Sequence, residues 1–320
     1  MADVRGRDAP RRDEDGSVHR GQLLLVMGVM IALTLVFLAV LLNSVIYAEN
    51  LGTRGSDIGG NDAVQFESAV QDAGEGFVTA TNRDADSQDH DPLVSEFDES
   101  IADWDDLSRS HLVRDGHYAS LSFDRTPSSP SNGSQIRQSE SGSFQNANDE
   151  SAWAVVENAD VRNYSMTIHD VSDDFLLSVS TADGEWNLTV GDGSETTVTT
   201  ERDGNVIADC TVHDEPFEID FVAGTVDGDY CNGEPVTFAG DLEAPYGTIE
   251  YANASAVEGT YTLTVNSTDP LSSNSFNQPG EDEPVAVAGI YAADVSLMYE
   301  TERIEYESTV TAAPNTHYGR

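Results

Sequence analysis

The longest apolar run is Leu23 to Leu42, twenty residues interrupted only by Thr34 and one glycine. At a helical rise of 1.5 Å per residue, such a run spans about 30 Å, the thickness of bilayer hydrocarbon. Val45 and Ile46 extend it, and Tyr47 sits where an interfacial aromatic belongs. The run is too long for the apolar region of a secretory signal. Ile46-Tyr47-Ala48 is a weak cleavage site, and acids follow Arg11-Arg12 where a twin-arginine signal needs apolar residues.

Beyond the run the pattern becomes amphipathic. Ala63, Phe66, Val70, Ala73 and Phe77 recur at 3-4-3-4 spacing, predicting a helix over 57–79 whose end Gly74 and Gly76 weaken. Such a stripe either pairs subunits or docks on the chain's own globular part. Asn82–Asp91 reads as an acid-rich loop. Asp91 as cap and Pro92 at the first helical position then start a second helix. Its predicted apolar face is Leu93, Phe97, Ile101, Trp104, Leu107 and His111, opposite Glu96, Glu99, Asp103 and Asp106. This helix is expected to pack on a sheet.

From Tyr118 the period falls to two. Ala119, Leu121 and Phe123 predict a first strand, and the Ser/Asn/Gln-rich residues 126–150 predict a linker or long loop. Alternation returns around Met166, Leu188, Ala208, Ile219, Leu263, Leu297 and Tyr306. Asp183-Gly184, Asp192-Gly193, Asp203-Gly204, Asp227-Gly228 and Asn232-Gly233 supply hairpin-turn dipeptides between such runs. The expected class is α+β. An N-terminal transmembrane helix leads to a short helical stalk and an antiparallel, sandwich-like β-rich extracellular head. The expected divisions are a leader over 1–21, the span over 22–48, the stalk over 49–113, a strand and linker over 114–150, and the head over 151–320.

Charge refines this picture. The 320 residues hold 58 acids and 15 basic residues, all arginine, for a net charge of −43. That balance disfavours nucleic acid as a partner, because neutralising phosphates needs a basic face. At low ionic strength the excess would repel itself; at molar salt the screening length falls to about 3 Å. A lysine-free acidic chain looks like a protein of an extreme halophile, with an ordinary acidic extracellular protein as the alternative. The arginines also orient the span. Arg5, Arg7, Arg11, Arg12 and Arg20 precede it and only Arg54 follows within twenty residues. The membrane is thus an expected partner, crossed once, with the N-terminus cytoplasmic and the bulk outside.

Arg20-Gly21-Gln22 abuts the apolar run. A basic residue, glycine and a long apolar helix resemble the class III signal of archaeal pilins and archaellins. The resemblance covers about 30 residues. It implies cleavage between Gly21 and Gln22, a retained apolar helix that packs with other pilin-like subunits, and no enzymatic activity. Val26 stands where bacterial pilins carry a glutamate. From Arg20 through Asp62 the chain also resembles membrane-anchored haloarchaeal surface proteins. An uncleaved signal anchor shares the basic inner flank; its head would bind a partner or carbohydrate.

The remaining chemistry is sparse. Cys210 and Cys231, 21 residues apart, suggest one disulfide between neighbouring hairpins, against the alternative of two buried thiols. Five glycosylation sequons start at Asn132, Asn163, Asn187, Asn253 and Asn266. Alternation turns Asn163, Asn187 and Asn266 to the wet face. Asp84, Asp86, Asp89 and Asp91 lack the glycine and glutamate of a calcium loop. No nucleophile elbow, zinc motif or phosphate loop occurs, so catalytic residues, metals and cofactors are all expected to be none. A surface enzyme is the third alternative, with no motif behind it.

Overall fold

A computed structural model describes residues 60–126 and 129–314. The predicted leader with Arg20, Gly21 and Gln22, the span and most of the stalk's first stretch lie outside these residues. No helix among the described residues is long and apolar enough to cross a membrane. The described residues from Ala63 onward cluster as one compact unit.

Among the described residues two α-helices come first, α1 (Gly60–Arg83) and α2 (His90–Leu112). Fourteen strands follow: β1 (Tyr118–Phe123), β2 (Ser131–Ser143), β3 (Trp153–Ala159), β4 (Val161–Val171), β5 (Phe175–Thr181), β6 (Gly184–Gly191), β7 (Thr196–Arg202), β8 (Asn205–Val212), β9 (Phe217–Asp220), β10 (Thr225–Val226), β11 (Tyr246–Ala252), β12 (Val257–Val265), β13 (Val285–Glu300) and β14 (Glu305–Ala312). One eight-stranded sheet runs β1-β13-β2-β12-β4-β9-β10, with β14 also on β13. A six-stranded sheet runs β3-β11-β5-β6-β7-β8. Every named pairing is antiparallel, as the alternation implied.

The sheets close over an aromatic core. Phe144, Phe175, Tyr251 and Tyr261 meet edge to face or stacked, with Phe144 and Tyr261 centroids 4.9 Å apart. Tyr164, Trp186, Phe221 and Phe238 form a second group. Such pairs add about 0.5–1.5 kcal/mol each beyond the area they bury. The Tyr164 and Tyr251 hydroxyls bond each other at 2.6 Å, joining the two sheets through the core.

The helices cover the other part of the first sheet. Val70 and Val78 of α1 and Leu93, Phe97 and Ile101 of α2 bury against β1, β13 and β14. The α1 stripe is therefore taken up by the chain's own sheet. Gly74 does not end the helix. A Cβ there would stand 2.9 Å from the Cβ of Ala312, so the missing side chain lets α1 approach β14. The α2 cap is Asp89, whose carboxylate accepts from the Asp91 amide at 3.0 Å, so the helix starts earlier than the Asp91-Pro92 pair predicts.

The stripe of α2 also differs from its prediction. Asp105 is buried whereas Leu107 is 55% exposed. The cause is the free edge of β1: Asp105 accepts from the Leu121 amide at 2.8 Å and pairs with Arg109 at 2.6 Å. Asn82 does the same for β13, where β14 has ended. Its carboxamide donates to the Ile290 carbonyl and accepts from the Ile290 amide, both at 2.8 Å. The Ser87 carbonyl takes the Ala288 amide at 2.8 Å. Buried main-chain groups need partners, and here helix side chains and the interhelical loop provide them.

The expected linker over 126–150 is corrected. Thirteen of its residues are β2, a central strand between β13 and β12. It carries few large apolar residues because its buried positions are crowded by neighbouring backbone. A Cβ on Gly133 would lie 2.1 Å from the Val265 carbonyl. No division falls at residue 150 either, since β1 and β2 share a sheet with β12 and β13.

Candidate groove on the outer sheet face

The helices leave the outer face of β2, β12, β4 and β9 uncovered, and a groove of about 680 Å³ lies there. The C-terminal end of α1, with Thr79 and Arg83, forms one side; Val222 and Ala223 after β9 form the other. The floor follows from strand alternation. Tyr261 and Leu263 point into the core, so Thr260 and Thr262 point out. Likewise Met166 and Ile168 turn inward and leave Ser165 and Thr167 on the floor.

Register arranges these side chains in rows. Arg137 lies opposite Thr262, Thr262 opposite Ser165, and Ser165 opposite Asp220. One step along, Thr260 lies opposite Thr167 and Thr167 opposite Glu218. At roughly 4.8 Å per strand, the first row sets the backbone of Arg137 about 14 Å from that of Asp220, with two hydroxyl-bearing residues between. The hydroxyls of Thr260, Thr262, Ser165 and Thr167 make no hydrogen bond within the described residues. The Arg137 guanidinium donates to the Gln135 side-chain oxygen and the Arg83 carbonyl, both at 3.3 Å. It pairs with no carboxylate among the described residues.

Sequence reasoning missed this site because it placed Gln135 and Arg137 in a linker. The available signal was weak: a period-two pattern in which Ile136 is the single large apolar side chain between Ser131 and Ser143.

The residues singled out from sequence lie elsewhere, with one exception. Asn163 lines the groove, with a left-handed φ of 51°. Asn132 is exposed on β2. The Asn187 amide donates to Glu185 at 2.8 Å, and that of Asn253 to the Asp174 carbonyl at 2.7 Å. Asn266 accepts from the Asp160 amide at 2.8 Å. Cys210 and Cys231 are disulfide-bonded, with Cα atoms 4.9 Å apart. The bond does not join neighbouring hairpins. It ties β8, the edge of the six-stranded sheet, to the turn after β10, the edge of the other. Among the described residues no three His, Cys, Asp or Glu side chains are placed to hold a metal. His117 bonds the Tyr299 hydroxyl at 2.6 Å, and His213 lies 3.3 Å from Glu195.

Electrostatic shifts concern the core and the helix contact. Burial, reinforced by the adjacent Tyr164, holds the Tyr251 phenol well above its ordinary range. Burial raises Tyr261 likewise, with Tyr251 and Glu283 adding to it. Glu67 of α1 is held below the usual carboxylate range by hydrogen bonds from Ser308 and Tyr306 of β14, both at 2.6 Å.

A family of unknown function, DUF7261, matches residues 17–169, just under half of the chain. The match takes in both helices and ends within β4. No curated protein matches the chain. No solved structure matches it.

Proposed function

We propose that the chain is a non-enzymatic cell-surface protein: a pilin-like subunit anchored by its N-terminal apolar segment, with an acidic β-rich head outside the membrane. The observation that carries this is Arg20-Gly21-Gln22 at the basic edge of the Leu23–Leu42 run. The Cys210–Cys231 disulfide supports placing the head in an oxidising compartment. Because the α1 stripe is spent on β13 and β14, association with further subunits runs through residues 22–48. The test is the mature N-terminus, read by mass spectrometry on protein from the native membrane. A chain beginning at Gln22 is expected, and Gly21→Leu should retain the leader. A wild-type chain that keeps Arg20 would overturn processing.

The groove favours a second reading, an uncleaved signal-anchored protein whose head binds a partner or carbohydrate. Ligand sites are commonly concave and few per protein, with volumes of about 300–1,000 Å³.

A further inference from the structure

We propose that the groove over β2, β12, β4 and β9 binds a saccharide bearing a carboxylate, with Arg137 as the group that selects the acid. This deepens the head-binding reading, and it does not depend on whether residues 22–48 anchor the chain or whether the leader is cleaved.

Three observations converge on that ligand. The first is Arg137 itself. Arg137 is a half-buried guanidinium that pairs with no carboxylate among the described residues, and unlike Arg162, which lies over the Tyr291 ring, it faces the open groove. Gln135 and the Arg83 carbonyl hold it in place while its other donors remain available. A planar guanidinium matches a carboxylate through two parallel hydrogen bonds.

The second is the floor. Thr260, Thr262, Ser165 and Thr167 offer four hydroxyls, each able to donate and accept. They are fixed on strands in two rows rather than carried on loops. A polyhydroxylated ring answers that arrangement, whereas a small inorganic anion would use one end of it. Glu218, on the far side, accepts from ligand hydroxyls and disfavours a second ligand carboxylate there. The groove is therefore polarised, acid end at β2 and neutral end at β9.

The third is the aromatic side chains. Tyr164 and Tyr261 are on the strands that form the floor, but both rings lie in the core. Although Tyr164 and Tyr261 line the groove, their burial leaves neither with an open face on which a neutral sugar could stack. Affinity must come from hydrogen bonds and from the charged anchor, which makes the carboxylate a requirement rather than an ornament.

The experiment is calorimetric titration of the full-length chain, in detergent and molar KCl, with oligomers of galacturonate, glucuronate and mannuronate. The methyl esters of the same oligomers and neutral maltotriose serve as matched controls. At least one acidic series should bind, with a tenfold or greater loss on esterification. Arg137→Gln should lose the acid and keep whatever weak affinity the ester shows. Thr262→Val should weaken both forms. Circular dichroism and thermal melting must show both variants folded as the wild type. No binding by any of the three acidic series would overturn the proposal, as would equal binding of acid and ester or an Arg137→Gln variant that still prefers the acid. Leader processing is measured separately, so failure here leaves the pilin-like proposal untouched.

Discussion

Asn82 offers the sharpest test of how the helix layer is held to the sheet. It is 3% exposed, and its carboxamide forms two 2.8 Å bonds to the main chain of Ile290. Asn82→Ala removes both partners and leaves an amide and a carbonyl without acceptor or donor. An orphaned buried polar group costs about 1–3 kcal/mol, so the pair should cost about 2–6 kcal/mol. For a unit of this size, that lowers Tm by roughly 5–15 °C. Asn82→Asp keeps the shape and the acceptor but turns a carboxylate toward the Ile290 carbonyl. At neutral pH it should be at least as damaging as alanine. Burial and the facing carbonyl raise the pKa of the new acid, so its folded form takes up a proton before the unfolded chain does. The deficit relative to wild type must therefore shrink as pH falls, because the protonated acid can again donate to Ile290. The assay is urea unfolding in molar KCl, followed by circular dichroism at neutral and mildly acid pH. Two variants within about 0.5 kcal/mol of wild type would refute the reasoning. So would an Asn82→Asp deficit that grows on acidification.

Three further outcomes are expected. The full chain should lose its β spectrum in low-salt buffer and regain it in molar salt; a spectrum indifferent to salt would remove the case for charge screening. Gly74→Ala should destabilise by about 1–3 kcal/mol through crowding against Ala312, despite the gain in helix propensity. Adding Ala312→Gly should restore most of the loss, and a neutral or stabilised Gly74→Ala would show that α1 has room to move. Alkali should unfold the head, because burial, Asp160 and Tyr291 push Tyr246 up from 10.0 to about 12. The unfolded chain ionises first, so stability is full below pH 10 and falls as pH rises toward 12, read by phenolate absorbance together with circular dichroism.

The repeated turns and alternating strands were legible because each is a local device. Asp203-Gly204, Asp227-Gly228 and Asn232-Gly233 all adopt left-handed φ at both positions, as those dipeptides favour. The stripe of α2 was legible through Trp104, which packs beside Phe77, and then diverged at Leu107. Asp105 is buried by a bond to a strand edge, and nothing in a helix's own period reports an edge 16 residues away. The strand β2 was illegible for a related reason: its neighbours β12 and β13 lie more than a hundred residues along the chain, and they permit glycine and serine where a strand is usually apolar. The groove was lost with it. Rows such as Arg137–Thr262–Ser165–Asp220 exist only once three registers are known.

The place of β13 in the sheet also sets a timetable. It is the strand on which β1, β2 and β14 all pair, yet it begins at residue 285 of 320. During synthesis, α1, α2, β1 and β2 emerge first and wait for more than a hundred residues before β13 and β14 exist. The sheet that joins them cannot close until residues 285–300 are made. Long-range pairing of this kind is slow and leaves apolar faces open in the interval. A nascent chain halted before Val285 would hold α1 and α2 with only β1 of the three strands they bury against, and much of their apolar surface would stay open.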